Sequence, residues 1–312
     1  MVYNVGIIGK GFVGSAVSHG FSNSVGYKAN IRIYDKDKSK SLNSLEEVVT
    51  KSDFVFISVP TPANNNGSIN LEILKNCLED ISKLIKKNKK KLGTILLIRS
   101  TVVPGTTASF QKKFKNLNLV FNPEFLTERS ANFDFISQPR FILGGKKIHT
   151  SKVEKLFRHR FGNTIPIIQT DFQTAELVKY VCNTFFATKI SFLNEMKLIS
   201  DKVNANWEDV IESLIRDGRV GNSHLNVPGP DGKLGFGGSY GFHSFRSTLS
   251  NLFETAGVNE TFAARIIGHK IDTMTYGLYS EDIPWDKNVE AMAKVSYKPK
   301  GWPIKSVEDC EL

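Results

Sequence analysis

Gly9, Gly11 and Gly14 follow the apolar run Val5-Gly6-Ile7-Ile8 at the G-x-G-x-x-G spacing. Those residue types bind phosphate. The first glycine permits a tight turn, the second lets a pyrophosphate approach the backbone, and the third lets helix and strand pack closely. The helix that follows offers unpaired N–H groups and the positive end of its dipole. Asp35 ends a second apolar run, Ile31-Arg32-Ile33-Tyr34, about twenty residues after the turn, where a carboxylate accepts from adenosine ribose hydroxyls. A 2′-phosphate would meet that negative charge, which favours NAD over NADP; Arg32, Lys36 and Lys38 would suit the phosphate. Phe12 and Val13 lie inside the turn and are counted with the cofactor-binding residues.

Three further sets of polar residues follow. Ser100-Thr101-Val102-Val103-Pro104-Gly105-Thr106 and Asn122-Pro123-Glu124-Phe125-Leu126-Thr127-Glu128 each come directly after an apolar run. In an open α/β sheet the ligand crevice lies beyond the carboxyl ends of the strands, so hydroxyls and carboxylates there stand at its edge. The third set is Lys179, Asn183 and Asn194, separated by 4 and 11 residues. At about 100° per residue these fall near one line on a helix, which is either a site or a solvated edge.

The elements that must position them read as alternating strands and helices. Strands are expected at 5–8, 31–34, 53–59, 94–99, 118–121 and 140–144, with helices at 15–21, 44–50 and 71–87. That alternation implies a parallel sheet. The lysine run 86–91 reads as a solvated helix end. From Asp171, a helix N-cap, the period becomes helical through about Val203, with apolar Leu177, Val178, Val181, Phe185, Phe186, Ile190, Phe192 and Leu193. A second helix covers 207–215, and 219–239 is a loop rich in Gly, Pro and Asn. The fold class is therefore a Rossmann-like, doubly wound parallel α/β sheet, followed by a long helix and a small helical domain with a helical tail. The expected divisions are 1–168, 169–239 and 240–312.

The chain's 312 residues, 40% hydrophobic and 23% charged, suit a globular protein of this size. No apolar run reaches the roughly 18 residues of a membrane span, and the sequence opens on a strand and not a signal peptide, which points to the cytoplasm. Cys77, Cys182 and Cys310 stand far apart and form neither a metal pattern nor a disulfide framework; the first two read as small buried hydrophobes. His19, His149, His159 and His224 show no ligand spacing, so no metal site is expected. The net charge of +10 favours anionic ligands. It resides in 1–239, with 33 Lys/Arg against 21 Asp/Glu; 240–312 has 8 against 10.

Taken together the motifs resemble the UDP-glucose/GDP-mannose dehydrogenase family over about 2–239. They include the glycine turn, Ser58-Val59-Pro60-Thr61-Pro62, the two strand-end blocks, Glu176-Leu177-Val178-Lys179-Tyr180 with Asn183, Lys189-Ile190-Ser191-Phe192-Leu193-Asn194-Glu195, and Gly235-Phe236-Gly237-Gly238-Ser239. The resemblance implies NAD-dependent oxidation of a nucleotide-sugar C6 alcohol, UDP-glucose or similar, in two steps to the acid. By matching positions, Thr101 and Lys179 would hold water and the developing alkoxide, and Glu128 would assist hydrolysis of a covalent intermediate. Asn183 would bind substrate or support the oxyanion. Thr61 and Thr101 would line the nicotinamide side, and Glu124, Phe125, Leu126, Asn194 and Gly237 would contact substrate. A homodimer through the long helix is also expected.

The chain departs from the family at Tyr240, where the matching position carries a catalytic cysteine. A phenol with a pKa near 10 is a poor acyl carrier where a thiolate is needed, so the second oxidation should be impaired. The family's C-terminal nucleotide-sugar domain also has no counterpart. Residues from about 240 to 295 resemble instead the end of a phage-type tyrosine recombinase. There His243 and Arg246 would clamp a phosphate, His269 would assist and Tyr279 would attack. That segment lacks the recombinase's other catalytic residues and carries net charge −2, which argues against duplex DNA as a partner. A dehydrogenase frame joined to an integrase end after Ser239 accounts for the change of resemblance.

Overall fold

Continuous apolar runs make the central strands, because a strand covered by helices on both faces has no solvent side to alternate toward. The computed structural model describes residues 2–64, 68–88, 93–127, 129–221, 223–225 and 227. Apart from the described residues within Ala63–Ser68, these belong to one compact unit. Its strands are β1 (Asn4–Ile8), β2 (Asn30–Tyr34), β3 (Phe54–Ile57), β4 (Ile95–Ile98), β5 (Asn118–Phe121), β6 (Phe141–Gly145) and β7 (Ile167–Thr170). They form one sheet in the order β2-β1-β3-β4-β5-β6-β7. The chain goes from β1 to β2 on one side and then crosses to β3 on the other. The switch point, and with it the ligand crevice, is therefore at the carboxyl ends of β1 and β3.

Side chains alternate between two cores. Val5, Ile7, Phe56, Leu97 and Val120 pack toward α1 (Phe12–Gly20), α5 (Ala131–Ile136) and α6 (Lys147–Phe161). Ile8, Val55, Ile57, Leu96, Ile98 and Phe121 pack toward α2 (Leu45–Lys51), α3 (Glu72–Lys87), α4 (Thr106–Lys113) and the start of α7 (Phe172–Lys202). Each such side chain contributes about 1.5–3 kcal/mol when fully buried. The start of α2 is fixed by a capping box between Ser44 and Glu47. At α7, the Asp171 side chain accepts from the Thr174 N–H at 2.8 Å. A third cluster joins Ile190 and Leu193 of α7 to Trp207, Ile211, Leu214 and Ile215 of α8 (Trp207–Arg216), with Leu225 and Val227. This is the small helical part expected after the sheet.

The structure corrects the sequence reading in three places. The sheet is not wholly parallel: β6 runs antiparallel to β5, and β7 is parallel to β6. The segment between β5 and β6 carries only the six-residue α5, which packs on α1, and the chain re-enters the sheet beside β5 in the opposite direction. Helix α1 begins at Phe12 and not Ser15, because Ser15 N–H already donates to Gly11 O at 2.9 Å. Helices α4, α5 and α6 and strand β7 were not expected. Residues 240–312, with the expected tail, lie outside the described residues.

Candidate cofactor and catalytic site

Gly9 takes φ +90°, and its N–H donates to Tyr34 O at 2.9 Å, closing the turn against β2. A side chain at Gly14 would put its Cβ 1.9 Å from Gly9 O, so helix and turn can pack here only through glycine. Around Gly11 the situation reverses: no atom lies within 4 Å of where its Cβ would stand. The first turn of α1 has neither a side-chain cap nor an acidic residue, so its N–H groups are left for an anion. Phe12 is exposed and Val13 half-buried at the rim.

Asp35 is fixed beside this turn. Its two carboxylate oxygens accept from Lys10 N–H at 2.6 Å and Asp37 N–H at 2.9 Å, and each keeps a lone pair for a ribose hydroxyl. Arg32 points elsewhere, donating to Lys51 O at 3.0 Å, so it does not serve a 2′-phosphate. An open cradle, an uncapped helix start and an anchored carboxylate together fit NAD.

At the next strand ends, Thr61 Oγ1 donates to Thr101 O at 2.8 Å and Ser100 Oγ donates to Val59 O at 2.6 Å. These bonds tie the loop after β3 to the loop after β4. Gly105 and Thr107 start α4, and their N–H groups donate to Glu176 of α7 at 2.6 and 2.8 Å. Glu176 is fully buried, and burial outweighs these bonds and raises its pKa above the ordinary range. Nothing in its local sequence marks Glu176 for this role.

Three residues further along α7, Lys179 is 5% exposed. Its ammonium donates to Glu124 Oε1 at 2.7 Å and Glu124 O at 2.6 Å and stands 5.5 Å from the Phe125 ring centre. The second Glu124 oxygen accepts from Leu126 N–H at 2.8 Å. Behind this turn, Arg99 is 1% exposed and donates to Asn122 Oδ1 at 2.5 Å. Burial pushes its pKa down to about 10, with the Glu124 carboxylate acting against that shift, so it stays charged at neutral pH.

The structure thus gathers Thr61 with Thr101, and Glu124, Phe125 and Leu126 with Lys179. Asn183 follows Lys179 by one turn and is half-buried. Asn194 is not brought there: fifteen residues along a helix is about 22 Å, which puts it by the α8 cluster. Lys179 faces the sheet and not water, so it is not part of a solvated edge. Glu128, Gly237 and Tyr240 lie outside the described residues, as do His243, Arg246, His269 and Tyr279. Of the cysteines, Cys77 is held by burial at a pKa of about 12, and half-buried Cys182 accepts from Arg140 Nη2 at 3.5 Å. Among the described residues no three His, Cys, Asp or Glu side chains gather as a metal site, and no helix is long and apolar enough to cross a membrane.

Comparison with known families gives two matches. Residues 36–160 match the NAD-binding domain of the UDP-glucose/GDP-mannose dehydrogenase family, and residues 173–267 match its central domain. The chain carries the NAD-binding and central domains of this dehydrogenase family. The first match begins one residue after Asp35, so the glycine cradle is assigned by its geometry. The second continues past Ser239 and spans His243 and Arg246.

Among relatives, the chain is 34% identical to a UDP-glucose 6-dehydrogenase of Rickettsia prowazekii over 70% of this chain and 49% of that protein. It is 35% identical to the Bacillus subtilis UDP-glucose 6-dehydrogenase YwqF over 63% of this chain and 43% of that one. It therefore spans about half the length of these dehydrogenases. A UDP-glucose dehydrogenase structure from Pyrobaculum islandicum superposes with a TM-score of 0.68 at 25% identity, covering 86% of this chain and 67% of that one. A GDP-mannose dehydrogenase from Pseudomonas aeruginosa shares the fold, with a TM-score of 0.61, 24% identity and coverage of 71% and 59%.

Proposed function

We propose that this chain binds NAD and a nucleotide sugar such as UDP-glucose and carries out the first oxidation at the sugar C6, with the second oxidation impaired. The observation that carries this reading is the buried Lys179 ammonium, pinned by Glu124 on the helix whose Glu176 holds the loop after Thr101. Two of its three N–H donors are used on Glu124, which leaves one for a substrate oxygen. A preorganised cation in a dry site stabilises negative charge developing on that oxygen. NAD, when bound, supplies the hydride acceptor. Thr101, whose carbonyl accepts from Thr61, lies in the loop at the same sheet edge, and Asn183 adds an amide one turn beyond the lysine.

The second half-reaction needs a soft nucleophile to carry the sugar's acyl group. At the family's cysteine position stands Tyr240, and Glu128, assigned to hydrolysis, would have no thioester to act on. Titrating NADH fluorescence and following NADH formation with UDP-glucose test this reading. Binding without turnover to the acid is expected; turnover to the acid contradicts it.

The long helix also supports a homodimer. Leu177, Val181, Phe185, Phe192, Ile199 and Val203 are 44–66% exposed. Their spacing confines them to about 80° of the helix surface, well away from Lys179. A stripe of this kind buries itself against a second copy without covering the site.

A further inference from the structure

Two buried cations and one buried carboxylate stand near the carboxyl edge of β4 and β5. Lys179 and Glu124 pair with side chains 6% and 11% exposed. Arg99, 1% exposed, stands at the end of β4 with its guanidinium 5.4 Å from the Phe135 ring centre. Its Nη1 donates to Asn122, while Nε and Nη2 find no partner among the described residues. Asn122 in turn donates from Nδ2 to Ile142 O of β6 at 2.9 Å. One line of contacts therefore runs from the end of β4 through Asn122, two residues before Glu124, to Ile142 of β6.

The fold does not need a charge there. A buried cation with idle donors costs several kcal/mol in general, and a leucine or methionine of similar reach would fill the space over Phe135 without that cost. Charges retained at such a cost gather at functional sites. The Lys179–Glu124 pair is neutral as a pair, so Arg99, tied to the same turn through Asn122, adds a buried positive charge to it, and the scheme above does not use Arg99.

We propose that Arg99 is a positioning residue for this site, fixing the Asn122-Pro123-Glu124 turn beneath Lys179 and supplying an excess buried positive charge, so that the site takes its reacting group more tightly as an anion than as a neutral alcohol. The inference rests on the nucleotide-sugar reading and adds a preference for the C6 acid over the C6 alcohol.

The test is calorimetric titration of the full chain, loaded with NADH, with UDP-glucose and separately with its C6 acid at neutral pH. The acid is expected to bind at least about tenfold more tightly, equivalent to about 1.4 kcal/mol. In Arg99→Met that ratio should fall to about one and in Arg99→Lys it should be largely kept, with NADH affinity unchanged in both. A role confined to packing would weaken both sugars equally. A ratio near one in the unaltered chain, or an undiminished ratio in Arg99→Met, overturns the inference, and the first of these needs no variant to fold. If neither sugar binds while NADH does, the nucleotide-sugar reading fails and this inference with it.

Discussion

The Lys179 ammonium donates to both the side-chain and the main-chain oxygen of Glu124, at 2.7 and 2.6 Å, inside the protein. Removing either partner strands a charge out of water. Glu124→Gln and Lys179→Met are each expected to cost about 3–5 kcal/mol of stability. The double variant Lys179→Met/Glu124→Gln should cost clearly less than their sum. Denaturant unfolding of the three variants gives the comparison, and strict additivity would show that the pair is not coupled.

Gly11 and Gly14 should separate cofactor binding from folding. Gly14→Ala drives a methyl group into Gly9 O and is expected to lower the melting temperature by several degrees or more, since about 1 kcal/mol shifts it by a few degrees in a chain of this size. Gly11→Ala adds its methyl to open space, so the melting temperature should hold while NADH affinity falls about tenfold or more as the pyrophosphate loses its approach to the backbone. Thermal scans with NADH fluorescence titrations read both. Equal damage from the two substitutions would contradict the cradle.

Glu176 makes stability depend on pH in a stated direction. Its pKa in the folded chain is raised by burial, so its contribution is fully present below the ordinary glutamate pKa, and it is lost as pH rises through the raised value. Glu176→Gln is expected to flatten that part of the stability–pH curve. Glu176→Ala leaves the Gly105 and Thr107 N–H groups without their acceptor and should cost about 2–4 kcal/mol. Unfolding measured across the acidic range would show an unchanged slope in Glu176→Gln if the assignment were wrong.

The central strands were legible because their apolar runs are continuous and end in turn residues, as Phe54–Ile57 does before Pro60 and Ile95–Ile98 before Ser100. Strand β6 was legible as a strand but not in its direction, which depends on how the chain between β5 and β6 packs and leaves no mark in β6 itself. Helix α6 was missed because only Thr150, Val153, Leu156 and Phe157 are buried along its fifteen residues, and exposed Ile148 blurs the period. In the site, Gly9, Gly11, Gly14 and Asp35 could be read because their spacing is local. Glu176 and Arg99 could not: their partners lie 69–71 and 23 residues away, and each reads locally as an ordinary polar residue in its element.

The exposed stripe on α7 is expected to hold two copies of the chain together. Phe185→Asp with Phe192→Asp, at positions 62% and 56% exposed, should weaken the dimer at least about a hundredfold, equivalent to about 2.7 kcal/mol. NADH affinity should be retained, because the stripe faces away from Lys179. Light scattering after size exclusion reports the change, and a monomer in the unaltered chain would contradict the interface.

The most direct test is a side-by-side assay of the unaltered chain and Tyr240→Cys with NAD and UDP-glucose, counting NADH formed per sugar consumed. The unaltered chain is expected to bind NADH and yield no sugar acid, while Tyr240→Cys moves toward two NADH per sugar with the acid as product. Two NADH per sugar and steady acid formation from the unaltered chain would contradict the account.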